Sequence, residues 1–297
     1  MAIVAKPAAY EFCIFIKTLQ TSHIMKTNLF RSGIPVMHAA AVLALGSLIF
    51  ASCIKEDNNY TQQPAAQATV LGAAGDSASI IGTINQFRAL LGEPLNTTPG
   101  QTAGRREVNW DGVPPAFTNN NLFPFDFFNS TLAIDPAGRK RGLVMSSTSG
   151  PSFRVDSTNL VSVDASYANQ FETFSRKRVF VFADNTSSEA GFKVPGTATD
   201  ASIKGFGVIF SDVDVAGSTT LEFFDGTTSL GVFQAPVRNT KGSFSFLGVF
   251  FADAKATRVK ITSGNGVVGA GVKDITDGGS KDLVIMDDFF YNEPVAN

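Results

Sequence analysis

The sequence predicts an all-β protein, an antiparallel, jelly-roll-like β-sandwich with one short amphipathic helix at its N-terminal side. Three observations carry the prediction. From residue 143 onward, short runs of apolar and β-branched residues recur between turn pairs such as Asp184-Asn185 and Asp225-Gly226. Phenylalanine occurs 27 times against a single Trp, and pairs such as Phe180/Phe182 and Phe244/Phe246 repeat at period two, which sends their rings to one sheet face. Only residues 80–91 show a helical period.

The first element in chain order is an export signal. Residues 34–52 are largely apolar, follow Lys26 and Arg31, and end in Ala51-Ser52-Cys53. Small residues before a cysteine resemble the lipobox of bacterial lipoproteins, which implies cleavage before Cys53 and a lipid on its thiol. Phe50 stands where that motif usually has Leu. The alternative is a membrane anchor, but Pro35, His38 and Ser47 interrupt the run and no basic cluster follows it. A start at Met25 makes residues 25–52 a signal peptide of ordinary length and residues 1–24 an upstream mis-start. Residues 53–79 are polar and Ala/Gln-rich, predicting a flexible tether to a domain over 80–297. The acidic pair Glu56-Asp57 after Cys53 resembles the tag that sends some lipoproteins to the outer cell face; an ordinary solvated linker is the alternative. The expected location is the cell envelope, at the outer membrane.

Ile80, Ile84, Phe87 and Leu91 fall on one helical face, with Ser77 or Ser79 as cap and Gly92 then Pro94 as stop. Strands are predicted over 143–147, 160–163, 179–183, 203–210, 219–224, 230–234, 244–251, 257–262 and 283–291. The last is apolar on both faces and should be central. Loops over 113–142 and 263–281 are long enough to be functional.

Composition excludes much chemistry. The segment before Cys53 holds four of the 24 Lys/Arg and one of the 26 Asp/Glu, leaving 20 bases against 25 acids. That balance offers no electrostatic reason for nucleic-acid binding. Both histidines, His23 and His38, and the other cysteine, Cys13, also precede Cys53. The remaining chain therefore lacks the residues of a Ser-His-Asp or Cys-His nucleophile system and of structural zinc sites.

Two places can carry a ligand. In residues 104–112, Trp110 offers a sugar-stacking platform, and Asp111 with Glu107 a carboxylate pair; the structural alternative buries Trp110, makes Asp111-Gly112 a turn and pairs Arg105 or Arg106 with Glu107. The second is acidic. Asp212 and Asp214 share one face of an extended segment, whereas Asp287 and Asp288 interrupt an apolar strand and point to opposite faces. A buried carboxylate needs a partner. Calcium, held by Asp212, Asp214, Asp287 and Asp288 with carbonyls of the glycine-rich loop, fits a donor set without His or Cys. Pairing with Arg105, Arg106 or Arg258 is the alternative.

Residues 205–294 also carry Ser211-Asp212-Val213-Asp214, Leu221-Glu222-Phe223-Phe224-Asp225, Phe246-Leu247-Gly248-Val249, the run from Arg258 to Asn265, and Met286-Asp287-Asp288-Phe289. This stretch resembles a group of secreted bacterial β-sandwich proteins, many ending in a Pro-Glu-Pro type sorting tail, and residues 104–112 are similar to one of their signatures. The resemblance implies fold and export, and no activity. Here Asn292-Glu293-Pro294 is followed by three residues, so the N-terminal lipid is expected to replace that tail.

The function expected is a lipid-anchored envelope module for binding or adhesion, with glycan as the candidate ligand class. A purely structural envelope or matrix protein is the first alternative, and a carboxylate-based glycosidase or lyase the second.

Overall fold

Alternating side chains and backbone ladders build two facing sheets from short strands. The computed structural model describes residues 66–147, 150, 152–238 and 240–297. Cys53, the predicted signal and the first part of the predicted tether lie outside the described residues.

The rest of that tether is not a tether. Residues Ala68–Gly75 form strand β1, paired along its whole length with a later strand, from Ala68 opposite Phe251 to Gly75 opposite Phe244. Its small side chains show no alternation, so the partner's ladder holds it rather than its own apolar face. Helix α1 (Ser77–Leu91) follows, and it buries the predicted Ile80, Ile84, Phe87 and Leu91. Its cap is Asp76, whose carboxylate accepts from Ser79 N at 2.8 Å and Ser79 Oγ at 2.6 Å. Gly92, with φ of 101°, ends it.

The chain then forms β2 (Arg105–Val108), β3 (Leu143–Ser146), β4 (Phe153–Asp156), β5 (Val179–Phe182), β6 (Ser187–Phe192) and β7 (Ala201–Ser202). Next come β8 (Gly205–Ser211), β9 (Thr220–Asp225), β10 (Thr228–Gln234), β11 (Phe244–Phe251) and β12 (Arg258–Thr262). The last strands are β13 (Ile285–Asn292) and β14 (Val295–Ala296). One seven-stranded antiparallel sheet runs β1-β11-β8-β13-β5-β4, with β2 also on β13. A five-stranded sheet runs β10-β9-β12-β6-β3, and β14 pairs with β7. The protein is an all-β sandwich with one α-helix among the described residues.

The main core lies between the sheets, where Phe153, Phe180, Phe206, Phe223, Phe251 and Phe289 are buried in one cluster. Helix α1 covers the outer face of the larger sheet through Phe87, Ile209, Phe246 and Phe290. A third cluster around Tyr167, Phe171, Val181 and Ile285 covers the rest. Both faces of the large sheet are thus buried, which is why β8 and β13 read as continuous apolar runs.

The predicted strand over 160–163 is a turn. Asn159 and Leu160 have φ of 52° and 64°, and Asp156 Oδ1 accepts from Thr158 N at 2.7 Å and Leu160 N at 3.0 Å. A side chain that satisfies two backbone N–H groups of one turn competes successfully with a ladder. The loop over 113–142 folds back on the core, burying Phe123, Phe127 and Phe128.

Candidate metal centre

The carboxylates gather where β8 leaves the sheet. Asp212 has φ of 76°, a left-handed conformation that breaks strand alternation and turns the chain outward. From the connection between β10 and β11, Arg238 donates its backbone N–H to Val213 O at 2.9 Å. Its side chain then grips both acids, with Nε at 2.7 Å and Nη2 at 3.2 Å from the Asp214 carboxylate, and an ion pair to Asp212 Oδ1. The glycine-rich loop supplies a third acid. Asp274 caps the 3₁₀ turn Ile275–Asp277, accepting from Thr276 N at 2.7 Å and from Leu283 N at 2.9 Å.

One oxygen from each of Asp212, Asp214 and Asp274 lies within 4.8 Å of the other two. The Gln170 amide completes the wall, donating Nε2 to Asp212 Oδ2 while its Oε1 has no partner. Asp212 Oδ1 also has no N–H aimed along its lone pairs, although the guanidinium is in ion-pair contact. Behind the centre, Asp282 accepts from Asp214 N and Val215 N, both at 3.1 Å.

Three carboxylates face one guanidinium here. Burial pushes the Asp212 carboxyl up to about 7, against the lowering pull of Gln170 and Arg238. Burial also raises Asp214 and Asp282. This buried, oxygen-only cluster can hold a hard metal ion.

The structure brings together Asp212 and Asp214 from the predicted set and leaves out Asp287 and Asp288. Asp287 and Asp288 lie at a β-bulge and are engaged by other groups. Between Met286 and Phe289, strand β13 has one residue more than β8, where Phe210 and Val208 are their partners. Asp287 and Asp288 therefore share a side instead of pointing to opposite faces. Ser175 Oγ lies 2.9 Å from Asp287 Oδ1 and 2.6 Å from Asp288 Oδ1, and Phe174 N donates to Asp287 Oδ2 at 2.7 Å. Burial raises both carboxyls, Asp287 well above the usual range, and the neighbouring Asp288 charge adds to that.

The predicted arginine partners are engaged elsewhere. Arg106 pairs with Glu293 at 2.7 Å, both buried; Arg105 pairs with Glu107 at 2.9 Å; and Arg258 pairs with Glu189. Arg238, Gln170 and Asp274 were missed. Asp274-Ile275-Thr276 is a local capping pattern that marks a turn, but nothing in it indicates convergence with Asp212.

Trp110 is not a sugar platform. It is 1% exposed, stacks on Phe180 at 4.1 Å, and donates Nε1–H to the Asp287 carbonyl at 2.7 Å. Asp111 anchors the neighbouring segment by accepting from Lys177 N at 3.0 Å. Glu107 is bound by Arg88 and Arg105, so no free carboxylate pair forms with Asp111.

The larger opening is at the other end of the sandwich. A cleft of about 620 Å³ is lined by Lys204, Asp225, Thr228, Ser229, Asp253 and Lys255, among others. No helix among the described residues is long and apolar enough to cross a membrane. Compared with protein-family models, curated proteins and solved structures, the chain matches none.

Proposed function

We propose that this chain is a non-catalytic, calcium-binding β-sandwich of the bacterial cell envelope, held at the outer membrane by lipid on Cys53 and working as a binding or adhesion module. We group it with the secreted bacterial β-sandwich proteins it resembles. The observation that carries the calcium assignment is the convergence of Asp212, Asp214 and Asp274 in a buried centre with one arginine. Calcium tolerates irregular oxygen shells better than magnesium, which demands a near-ideal octahedron. The metal would hold the ends of β8, the β10–β11 connection and the glycine-rich loop together.

Calcium that binds only the folded state stabilises it by mass action, about 2.7 kcal/mol at a hundredfold excess over Kd. Melting in millimolar calcium should therefore exceed melting in chelator, and Asp274→Asn should abolish the difference. Superimposable wild-type curves would remove calcium. The anchor is tested by Cys53→Ser, which should release the protein to the soluble fraction and abolish acyl labelling. The end cleft, walled by charged and hydroxyl side chains, supports a polar ligand of the glycan class. A glycan panel tests this, with Asp253→Ala expected to lose any ligand held there.

The second reading is a structural envelope protein. It is favoured by the burial of Trp110, Tyr167 and Tyr291, which leaves no exposed Trp or Tyr for sugar stacking among the described residues.

A further inference from the structure

We propose that Gln170 Oε1 is a fourth protein ligand of a hard divalent cation at the Asp212, Asp214 and Asp274 centre, and that Arg238 is the internal cation which that metal displaces. The proposal rests on the calcium reading above and deepens it.

Gln170 is 1% exposed, and its amide touches Asp212 through Nε2 and Thr276 Oγ1 at 3.4 Å. The carbonyl oxygen of the same amide is buried without a partner, an arrangement that costs free energy unless something is bound there. Asp212 Oδ1 is the other buried oxygen of this centre without a hydrogen bond. A cation among the three carboxylates would satisfy the Gln170 oxygen, which has no partner, and would take over Asp212 Oδ1, which has only the Arg238 ion pair, because carboxylate and amide oxygens are its ordinary donors. Asp274 also lines a cleft of about 270 Å³ with Ser166, Tyr167, Lys273 and Asp277, so the centre borders open space at that residue.

Arg238 engages the same two carboxylates that a metal needs. Its Nε lies 2.7 Å from Asp214 Oδ1 and its Nη2 pairs with Asp212 Oδ1, whereas calcium–oxygen contacts are about 2.3–2.6 Å. A guanidinium and a divalent ion in that space repel each other. The backbone of Arg238 is held independently at Val213 O, so the side chain can withdraw while its segment stays in place. Arg238 thus satisfies the acids in the absence of metal and sets a threshold that the ion must exceed.

Calorimetric titration of the whole chain with calcium chloride, after chelator treatment, tests both halves. Arg238→Gln should bind about tenfold or more tightly, since a positive charge beside the ion has gone. Gln170→Leu should bind about tenfold more weakly and Gln170→Glu at least as tightly as wild type, because ligand number and charge set calcium affinity. If wild type binds but Gln170→Leu is unchanged and Arg238→Gln binds no tighter, this proposal fails while the calcium reading survives. If neither wild type nor Arg238→Gln binds, both fall. Binding by Arg238→Gln alone upholds the competition and removes calcium from the wild-type protein. Should Arg238→Gln not fold, the Nε–H resonance of Arg238 in wild type decides the displacement. It should leave its hydrogen-bonded position as calcium is added, and an unmoved resonance overturns that half.

Discussion

Ser175 has one hydroxyl proton and two carboxylates within reach of it. It can donate to only one at a time, so the second contact is favourable when one carboxyl of the Asp287/Asp288 pair carries a proton. The charge of Glu107 raises Asp288 further, while Arg88 lowers it. The folded state then binds more protons than the unfolded chain above about pH 4, where free aspartates ionise. Stability contributed by the pair is full below that pH and is lost as pH rises through the raised folded values. Asp288→Asn should remove much of this slope and raise stability at pH 8 by on the order of 1 kcal/mol. Melting of both proteins from pH 5 to 9 checks it, and parallel curves would exclude a shared proton. Trp110→Ala should cost about 3–5 kcal/mol through lost packing against Phe180 and Phe289, read by denaturant unfolding. The buried acids were legible from the apolar run around them. Their shared side was not, because a bulge depends on the partner strand's register and leaves no mark on its own sequence.

Gly207 and Gly248 are opposite each other on β8 and β11, directly under Phe87 of α1. A Cβ at Gly248 would come within 2.8 Å of Phe87 Cγ, the inflexible root of the ring, and one at Gly207 within 2.7 Å of Cε1. The pair makes a hollow that lets the helix approach the sheet. Gly248→Ala should therefore destabilise the protein by about 1–3 kcal/mol, through overpacking that moves α1 outward. Loss of secondary and tertiary signals together at a lower denaturant midpoint is the expected readout. Helix α1 was legible in its 3.6-residue period, but its cap was misjudged because Asp76 precedes two serines that are also good caps. Strand β1 was illegible for a different reason. Its Ala and Gly residues carry neither period nor β-propensity, and its conformation is imposed by a partner 169 to 183 positions away.

The large sheet is buried on both faces, by the small sheet on one side and by α1 with the Tyr167 cluster on the other. That architecture follows from patterns visible in the sequence: many short strands, one helix, and central strands without polar alternation. The metal centre belongs to a different level. Gln170, Asp212, Arg238 and Asp274 come from four separate connections, and only the finished fold sets their spacing. Sequence patterns report which residues are buried; which side chains meet across connections is decided by register and turn geometry.

Strand β13 (Ile285–Asn292) lies between β8 and β5, with β2 also paired to it, yet it follows every other strand of that sheet in the chain. The middle of the large sheet is therefore made after its flanks. Until residue 292 has emerged, β2 and β5 have no central strand, and the apolar faces of β8 and β11 are incompletely covered. The sheet can close only when this strand joins flanks that were made before it. Contacts this distant in sequence also slow folding, placing it in the millisecond-to-second range of other β-rich topologies. A chain cut before residue 285 should stay protease-sensitive along its whole length rather than fold in part, and resistant fragments containing β8 and β11 would show that the sheet can nucleate without its last long strand.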